Sequence, residues 1–359
     1  MFRKTIYSIY FYLVILIVLN IFISVFYISP GYEIAKDAIT YRDAISFLKG
    51  DLVDGRPIYN RILTAPLMLI SARVVDFFTN NIYGSMAIIN TAFYFLIVFV
   101  FYKLALEIFE NRRTAFFSSI LFFCNYYLIN IENAFLTDMA GRFFLILTNL
   151  LAVKYFLRRE NTYYYLAILS SAIGVFFKEF GGLGIISLAC LILLSEVSWK
   201  EKIKKILAAS ALFLAPLLIY HSWFYFHFNF SYFNWYQNNI DTYIYDPAVY
   251  GLAPFIKVMG WLFLAGWPIF LFGLRKVFTN LDIKNKIILL GLLPASLSFF
   301  AWPVFMQRTA FVLVPWLSLI AGYGLSFVKN KYIIIIVLSF YLLVNYNLER
   351  LLPIINISL

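Results

Sequence analysis

Long apolar runs, separated by short clusters of charge, constrain this chain more than any other feature. Eleven occur, at about 6–28, 84–106, 115–131, 138–157, 162–177, 181–197, 206–226, 254–274, 287–302, 309–327 and 332–348. A helix needs about 20 predominantly apolar residues to cross a bilayer. A water-soluble core of 359 residues cannot hide this much apolar surface, since 63% of the residues are apolar and 13% charged. Soluble domains carry roughly 25% charged residues. The expectation is an all-α, polytopic transmembrane protein of about eleven spans, forming a single domain over residues 1–359. Lipid is then its main partner, and the net charge of +11 does not point to nucleic acid, because it sits in clusters between spans.

The charge clusters orient the spans. With the N-terminus cytoplasmic, 18 of the 29 basic residues fall on the cytoplasmic side, as the positive-inside rule requires. Arg3 and Lys4 precede the first run, which ends at Ser29-Pro30-Gly31 with no small-residue cleavage site, so it reads as an uncleaved span. Acids run the other way, with 12 of 18 on the outer side. The outer side of the cell membrane is where a site is expected.

Two outer segments are long enough to build one. The first, 29–83, is polar to about Arg61 and then carries a stretch, 62–78, that reads as a helix lying at the interface. The second, 227–253, is aromatic, with Tyr232, Trp235, Tyr236, Tyr243, Tyr245 and Tyr250. It reads either as an interfacial belt or as a surface on which a sugar or polyprenyl group stacks.

Within the first segment, Asp37, Tyr41, Ala44 and Leu48 share one helical face at about 100° per residue. Asp43 points about 240° away from Asp37, and Gly50 suits a C-terminal cap. Further on, Thr137 is a natural N-cap for a span that opens with Asp138. Asp138 and Arg142 are spaced to pair on one helix face. Either they are a self-neutralised capping pair, or Asp138 stands at the mouth of a polar cavity. Lys178, beside Glu179, and Arg308 are cations on the side where cations are scarce, which suggests an anionic ligand such as a lipid-linked phosphate. Cys124 and Cys190 read as small hydrophobes. His221 and His227 lack a third ligand at metal spacing.

Taken in order, these features resemble the GT-C superfamily of membrane glycosyltransferases, in the branch of the protein O-mannosyltransferases and the aminoarabinose transferase of lipid A. The first-loop pattern of that branch matches Asp37, Tyr41, Ala44, Phe47 or Leu48, and Gly50. A following stretch matches Arg56-Pro57-Ile58-Tyr59-Asn60. A Gly-to-Lys stretch matches Gly174 to Lys178, and an Arg-to-Pro stretch matches Arg308 to Pro315. The second acid that often follows the first-loop Asp is Ala38 here.

The resemblance implies a GT-C-like fold and sugar transfer from a polyprenyl-phosphate donor to a glycan, lipid or protein acceptor. It assigns Asp37 and Asp138 to catalysis, and Tyr41, Arg56, Tyr59, Arg61, Lys178, Glu179 and Arg308 to substrate binding. A divalent metal between Asp37 and Asp138 is compatible with it, although no metal ligand set is legible. A transporter or flippase of a lipid-linked glycan is the alternative. That reading favours polar residues near span midpoints and internal repeats, whereas here the polar residues gather at outer span ends.

Overall fold

The computed structural model describes residues 2–23, 36–51, 55–130, 135–243, 251–302, 306–348 and 350–351. Every regular element among them is a helix. Asp54, Tyr245, Tyr250 and the Ser29-Pro30-Gly31 stretch lie outside the described residues.

The first apolar run forms α1 (Phe2–Ile23). The outer segment that follows folds into three short helices: α2 (Lys36–Lys49), α3 (Arg56–Thr64) and α4 (Pro66–Thr79). Gly50 ends α2 at φ +94, in the left-handed region that glycine adopts at little cost. The expected single helix over 62–78 is instead two, bent by 96°. Pro66 explains the break, because it disfavours helical geometry in the residue before it. Ala65 has left the helix at φ −143, ψ 43. Buried Asp76 on α4 pairs with Lys49 at the end of α2, which ties the outer helices together.

The membrane bundle follows. It comprises α5 (Ile82–Phe109), α6 (Arg112–Phe123), α7 (Tyr126–Ile129), α8 (Asp138–Arg158), α9 (Asn161–Phe177), α10 (Gly184–Leu193) and α11 (Trp199–Phe228). Then come α12 (Tyr232–Tyr243), α13 (Leu252–Phe263), α14 (Gly266–Asn280), α15 (Ile283–Ser296), α16 (Gln307–Ala310), α17 (Val314–Ser326) and α18 (Lys331–Tyr346). Helix α8 packs between α5 and α9, α17 between α6 and α14, and α10 against α8 and α15.

By length and composition, five helices among the described residues can cross a membrane, or seven if each bent pair is one span. Several expected spans differ for local reasons. The run 254–274 is bent by 85° between α13 and α14. In a continuous helix Pro268 would clash with the carbonyl of Leu264, whereas it is tolerated in a first turn. The run 115–131 breaks at Cys124-Asn125, where the Asn125 side chain accepts from the Tyr127 amide at 3.1 Å and starts α7. The run 181–197 supplies only the ten-residue α10.

Helix α11 is unusual in having few buried residues, chiefly Lys202, Ala209 and Phe224. Its apolar side chains, such as Leu218 and Phe226, are exposed. A helix that is apolar all round and unpacked in this way needs lipid as its solvent.

Two apolar cores result. The larger lies within the bundle. The smaller joins α2, α3 and α4 to Phe135, Leu136 and Phe224. Thr137 and Asp138 follow Phe135 and Leu136 directly, so the junction of the two cores holds the start of α8.

Candidate active site

That junction gathers charge from five separate segments. Asp37 comes from the first turn of α2, Arg61 from α3 and Asp138 from the first turn of α8. Lys178 and Glu179 come from the connection after α9, and Arg308 from α16. Arg308 grips Asp138 with Nε and, at 3.1 Å, with Nη2. Its remaining Nη1 donates to Asp37 Oδ2 at 2.6 Å. Arg61 holds the other Asp37 oxygen through Nη2 at 2.6 Å, while its Nε donates to Thr40 Oγ1 at 2.9 Å.

Tyr41 anchors the cluster from beneath. Its ring is fully buried and lies under the Arg61 guanidinium, 4.6 Å from centre to carbon. Its hydroxyl is 3.0 Å from Thr137 Oγ1, and both Lys178 Nζ and Arg61 Nη1 donate to it at 3.4 Å. Lys178 Nζ also stands 3.0 Å from Glu179 Oε2.

Electrostatics follow from this geometry. Burial alone would raise the Asp37 carboxyl, but Arg61, Arg308 and Lys178 outweigh it and hold it below the usual carboxylate range. Burial would also raise the Tyr41 phenol, and Lys178, Arg61 and Arg308 bring it below its ordinary value. The side chain of Asp37 is 41% exposed and that of Asp138 is fully buried. Of the two carboxylates, only Asp37 can meet a ligand arriving from outside.

The sequence expectations fare unevenly. Asp37, Tyr41, Arg61, Asp138, Lys178, Glu179 and Arg308 do converge. The Asp138–Arg142 pair does not form: Asp138 is taken by Arg308, and Arg142 turns to the Tyr127 carbonyl at 3.0 Å. Helical spacing reports only neighbours on the same helix, and a better-placed guanidinium arrives from 170 residues away. Thr137 precedes α8 but makes no side-chain cap, because its hydroxyl faces Tyr41. Tyr59 packs among Phe47, Phe224, Phe228 and Phe230. Arg56 starts α3, and its side chain lies outside those described. Thr40 and Thr137 join the cluster without having been singled out as ligands, since a hydroxyl pairing across 96 residues leaves no local signal.

A divalent metal between Asp37 and Asp138 does not fit this donor set. All four carboxylate oxygens already accept from guanidinium groups. Around them Arg61, Arg142, Lys178 and Arg308 outnumber Asp37, Asp138 and Glu179 by one positive charge. The surplus suits an anion. Between α11, α12 and Leu63 of α3 lies a cavity of about 430 Å³ whose lining includes His221, Tyr225, Phe226, Tyr232 and Tyr236.

Comparison with known proteins agrees with this architecture. Residues 67–223 match the family described as dolichyl-phosphate-mannose-protein mannosyltransferase. The fold resembles ArnT from Cupriavidus metallidurans, solved bound to undecaprenyl phosphate, with a TM-score of 0.60 and 14% identity over 88% of this chain and 60% of that one. It also resembles the Archaeoglobus fulgidus oligosaccharyltransferase, solved with Zn and sulfate, with a TM-score of 0.57 and 15% identity over 92% of this chain and 50% of that one. The fold is that of the GT-C membrane transferases. A second structure of the oligosaccharyltransferase, tethered to an acceptor peptide containing the NVT sequon, gives a TM-score of 0.52 at 11% identity, over 93% of this chain and 53% of that one. The GT-C-like chain thus spans half to three-fifths of the length of these three solved structures. A search of curated proteins finds no match.

Proposed function

We propose that this GT-C-like protein is a membrane glycosyltransferase that moves a sugar from a polyprenyl-phosphate donor to an acceptor hydroxyl or amine at the outer face of the cell membrane. The observation that carries the reading is the Arg308 guanidinium shared between exposed Asp37 and buried Asp138, within a cluster whose net charge favours an anion. The matched mannosyltransferase family and the likeness to ArnT support the same reading by analogy.

The chemistry asks for what these residues offer. In the donor, the anomeric carbon of the sugar is bonded to a phosphate oxygen. The acceptor oxygen or nitrogen attacks that carbon, and its proton passes to Asp37, the exposed carboxylate. The carbon–oxygen bond to phosphate breaks, and the polyprenyl phosphate leaves with one more negative charge. Arg308 and Lys178 are suited to stabilise that charge as it develops. Attack opposite the phosphate inverts the anomeric carbon. The aromatic cavity beside α3 offers a surface for the sugar or the isoprenoid.

The test is turnover of labelled undecaprenyl-phosphate sugars by the purified protein in liposomes. A general base contributes about 10²–10⁴-fold, so Asp37→Asn should lower transfer by that factor while insertion survives. Asp43 pairs with its neighbour Arg42 at 2.7 Å, and Asp43→Asn should transfer nearly normally. Loss on Asp43→Asn with retention on Asp37→Asn would identify a different carboxylate. Indifference to both would remove the main support for transfer.

A further inference from the structure

Arg142 adds to the positive surplus of the cluster, yet no step of the proposed chemistry touches it. It lies one turn into α8, 2% exposed, and among the described residues no carboxylate approaches within ion-pair distance. Its Nη1 donates to the Tyr127 carbonyl at 3.0 Å, its Nε has no hydrogen-bond partner, and its guanidinium carbon sits 4.0 Å from the centre of the Phe311 ring. Asp138 acts on it only from beyond ion-pair distance, and a buried guanidinium without a direct carboxylate partner is costly, so a second state in which the two meet would relieve that cost.

The geometry points to that state. Asp138 lies four residues before Arg142 on the same helix, a spacing that brings side chains within reach of each other. In the structure both Asp138 oxygens are occupied by Arg308. Arg308 also holds Asp37, so the same guanidinium that would bind a phosphate blocks one oxygen of the proposed base. We propose that Arg142 is a positioning residue: when Arg308 turns to the donor phosphate, Asp138 passes to Arg142, and Asp37 keeps only Arg61. The inference rests on the reading of Arg308 as a phosphate ligand.

The exchange fits the local construction. The unpaired Nε–H can donate to Asp138 while Nη1 stays on the Tyr127 carbonyl. Phe311, on whose face Arg142 rests, lies three residues beyond Arg308 in the same short segment, so a shift of that segment is felt at Arg142. Asp138 is fully buried and must not be left alone when Arg308 departs, because an abandoned buried charge is strongly unfavourable. Without Arg142, pulling Arg308 away would cost the ligand much of its binding energy. With it, the carboxylate changes partner and remains neutralised.

The experiment measures binding of undecaprenyl phosphate, with undecaprenol as the uncharged control, to the purified full-length protein and to Arg142→Gln, Asp138→Asn and the double variant. Wild type should prefer the phosphate. Arg142→Gln should bind it at least tenfold more weakly, because Asp138 then has no second partner. Asp138→Asn should bind at least as tightly as wild type, because only Asp37 then competes for Arg308. In the Asp138→Asn background, Arg142→Gln should cost nothing further. An equal loss in both backgrounds would mean that Arg142 touches the ligand itself, and no loss in either would mean that it does neither; each overturns the exchange while leaving Arg308 as phosphate ligand. A wild type that binds undecaprenol as well as the phosphate would bring down the donor reading and the exchange together. Arg142→Lys carries the same test should the glutamine variant fail to insert, since any loss it shows must also vanish once Asp138 is Asn.

Discussion

Asp37 carries its charge between two guanidinium groups, and this governs how the protein should respond to acid. Its carboxyl is held below the usual range, so the unfolded chain binds that proton more tightly than the folded one. The stability it contributes is present above the ordinary carboxylate value of about 3.9 and is lost as pH falls through the lowered folded value. Transfer that needs the ionised carboxylate should follow the same window and stay level from neutral pH down to about 4. Arg61→Gln removes a lowering influence, so the acid limb of the rate profile should move up in pH; identical limbs in wild type and variant would mean that Asp37 does not set it. Much of this cluster was legible because charges are scarce in such a chain. Lys178 and Arg308 stood out as cations on the side where cations are scarce, and Asp37 through its helix face and the first-loop pattern of the family that the chain resembles. The partner of Asp138 was misread, because proximity along a helix says nothing about a cation arriving from a distant segment.

Between elements, the position of Lys178 depends on how closely its connection approaches α8. A Cβ added at Gly141 would lie 2.7 Å from Lys178 Cβ and 2.8 Å from Phe180 Cε2, closer than packed atoms allow. Gly141→Ala should therefore push Lys178 off the Tyr41 hydroxyl. It should cost about 1–3 kcal/mol in stability, as overpacking does, and weaken binding of undecaprenyl phosphate several-fold. Gly260 in α13 is the control, since a Cβ there meets nothing within 4 Å. Gly260→Ala should be neutral or stabilising by up to about 1 kcal/mol, as read by thermal unfolding in detergent; equal losses at the two glycines would contradict the packing argument. Helix breaks were only partly readable. Pro66 and Pro268 mark two of them, but apolar residues continue through both bends, so hydrophobicity alone joins what the backbone separates.

For the whole molecule, the apolar runs and the ordered motifs anticipated a helical membrane protein with the GT-C fold. The expected eleven spans, however, compare with five helices, or up to seven, long and apolar enough to cross among the described residues, because breaks and packing within apolar runs are not encoded in composition. The orientation that the charge asymmetry implies has a direct check. With Cys124 and Cys190 replaced by Ser, single cysteines at exposed Asp51 and exposed Lys204 should label from opposite sides of sealed vesicles. Labelling of both from one side would refute the assigned topology. The few buried residues of α11 add a further expectation: the protein should precipitate when detergent is withdrawn without lipid, whereas a self-sufficient soluble fold would remain dispersed.

The segments that meet at Asp37 also impose an order in time. Arg61 follows Asp37 by 24 residues, whereas Arg308 follows it by 271. A chain made from its N-terminus onward inserts both carboxylates long before the guanidinium that joins them has been synthesised. In that interval Asp37 has Arg61 close by in the chain and Asp138 has Arg142 on its own helix, so neither need enter the bilayer unaccompanied. A ribosome-bound chain stopped before residue 306 should hold its early helices in the membrane yet bind undecaprenyl phosphate no better than undecaprenol. Preference for the phosphate should begin only when the stretch from Arg308 to the end of α17 has been released, which makes the site one of the last parts of the protein to be completed.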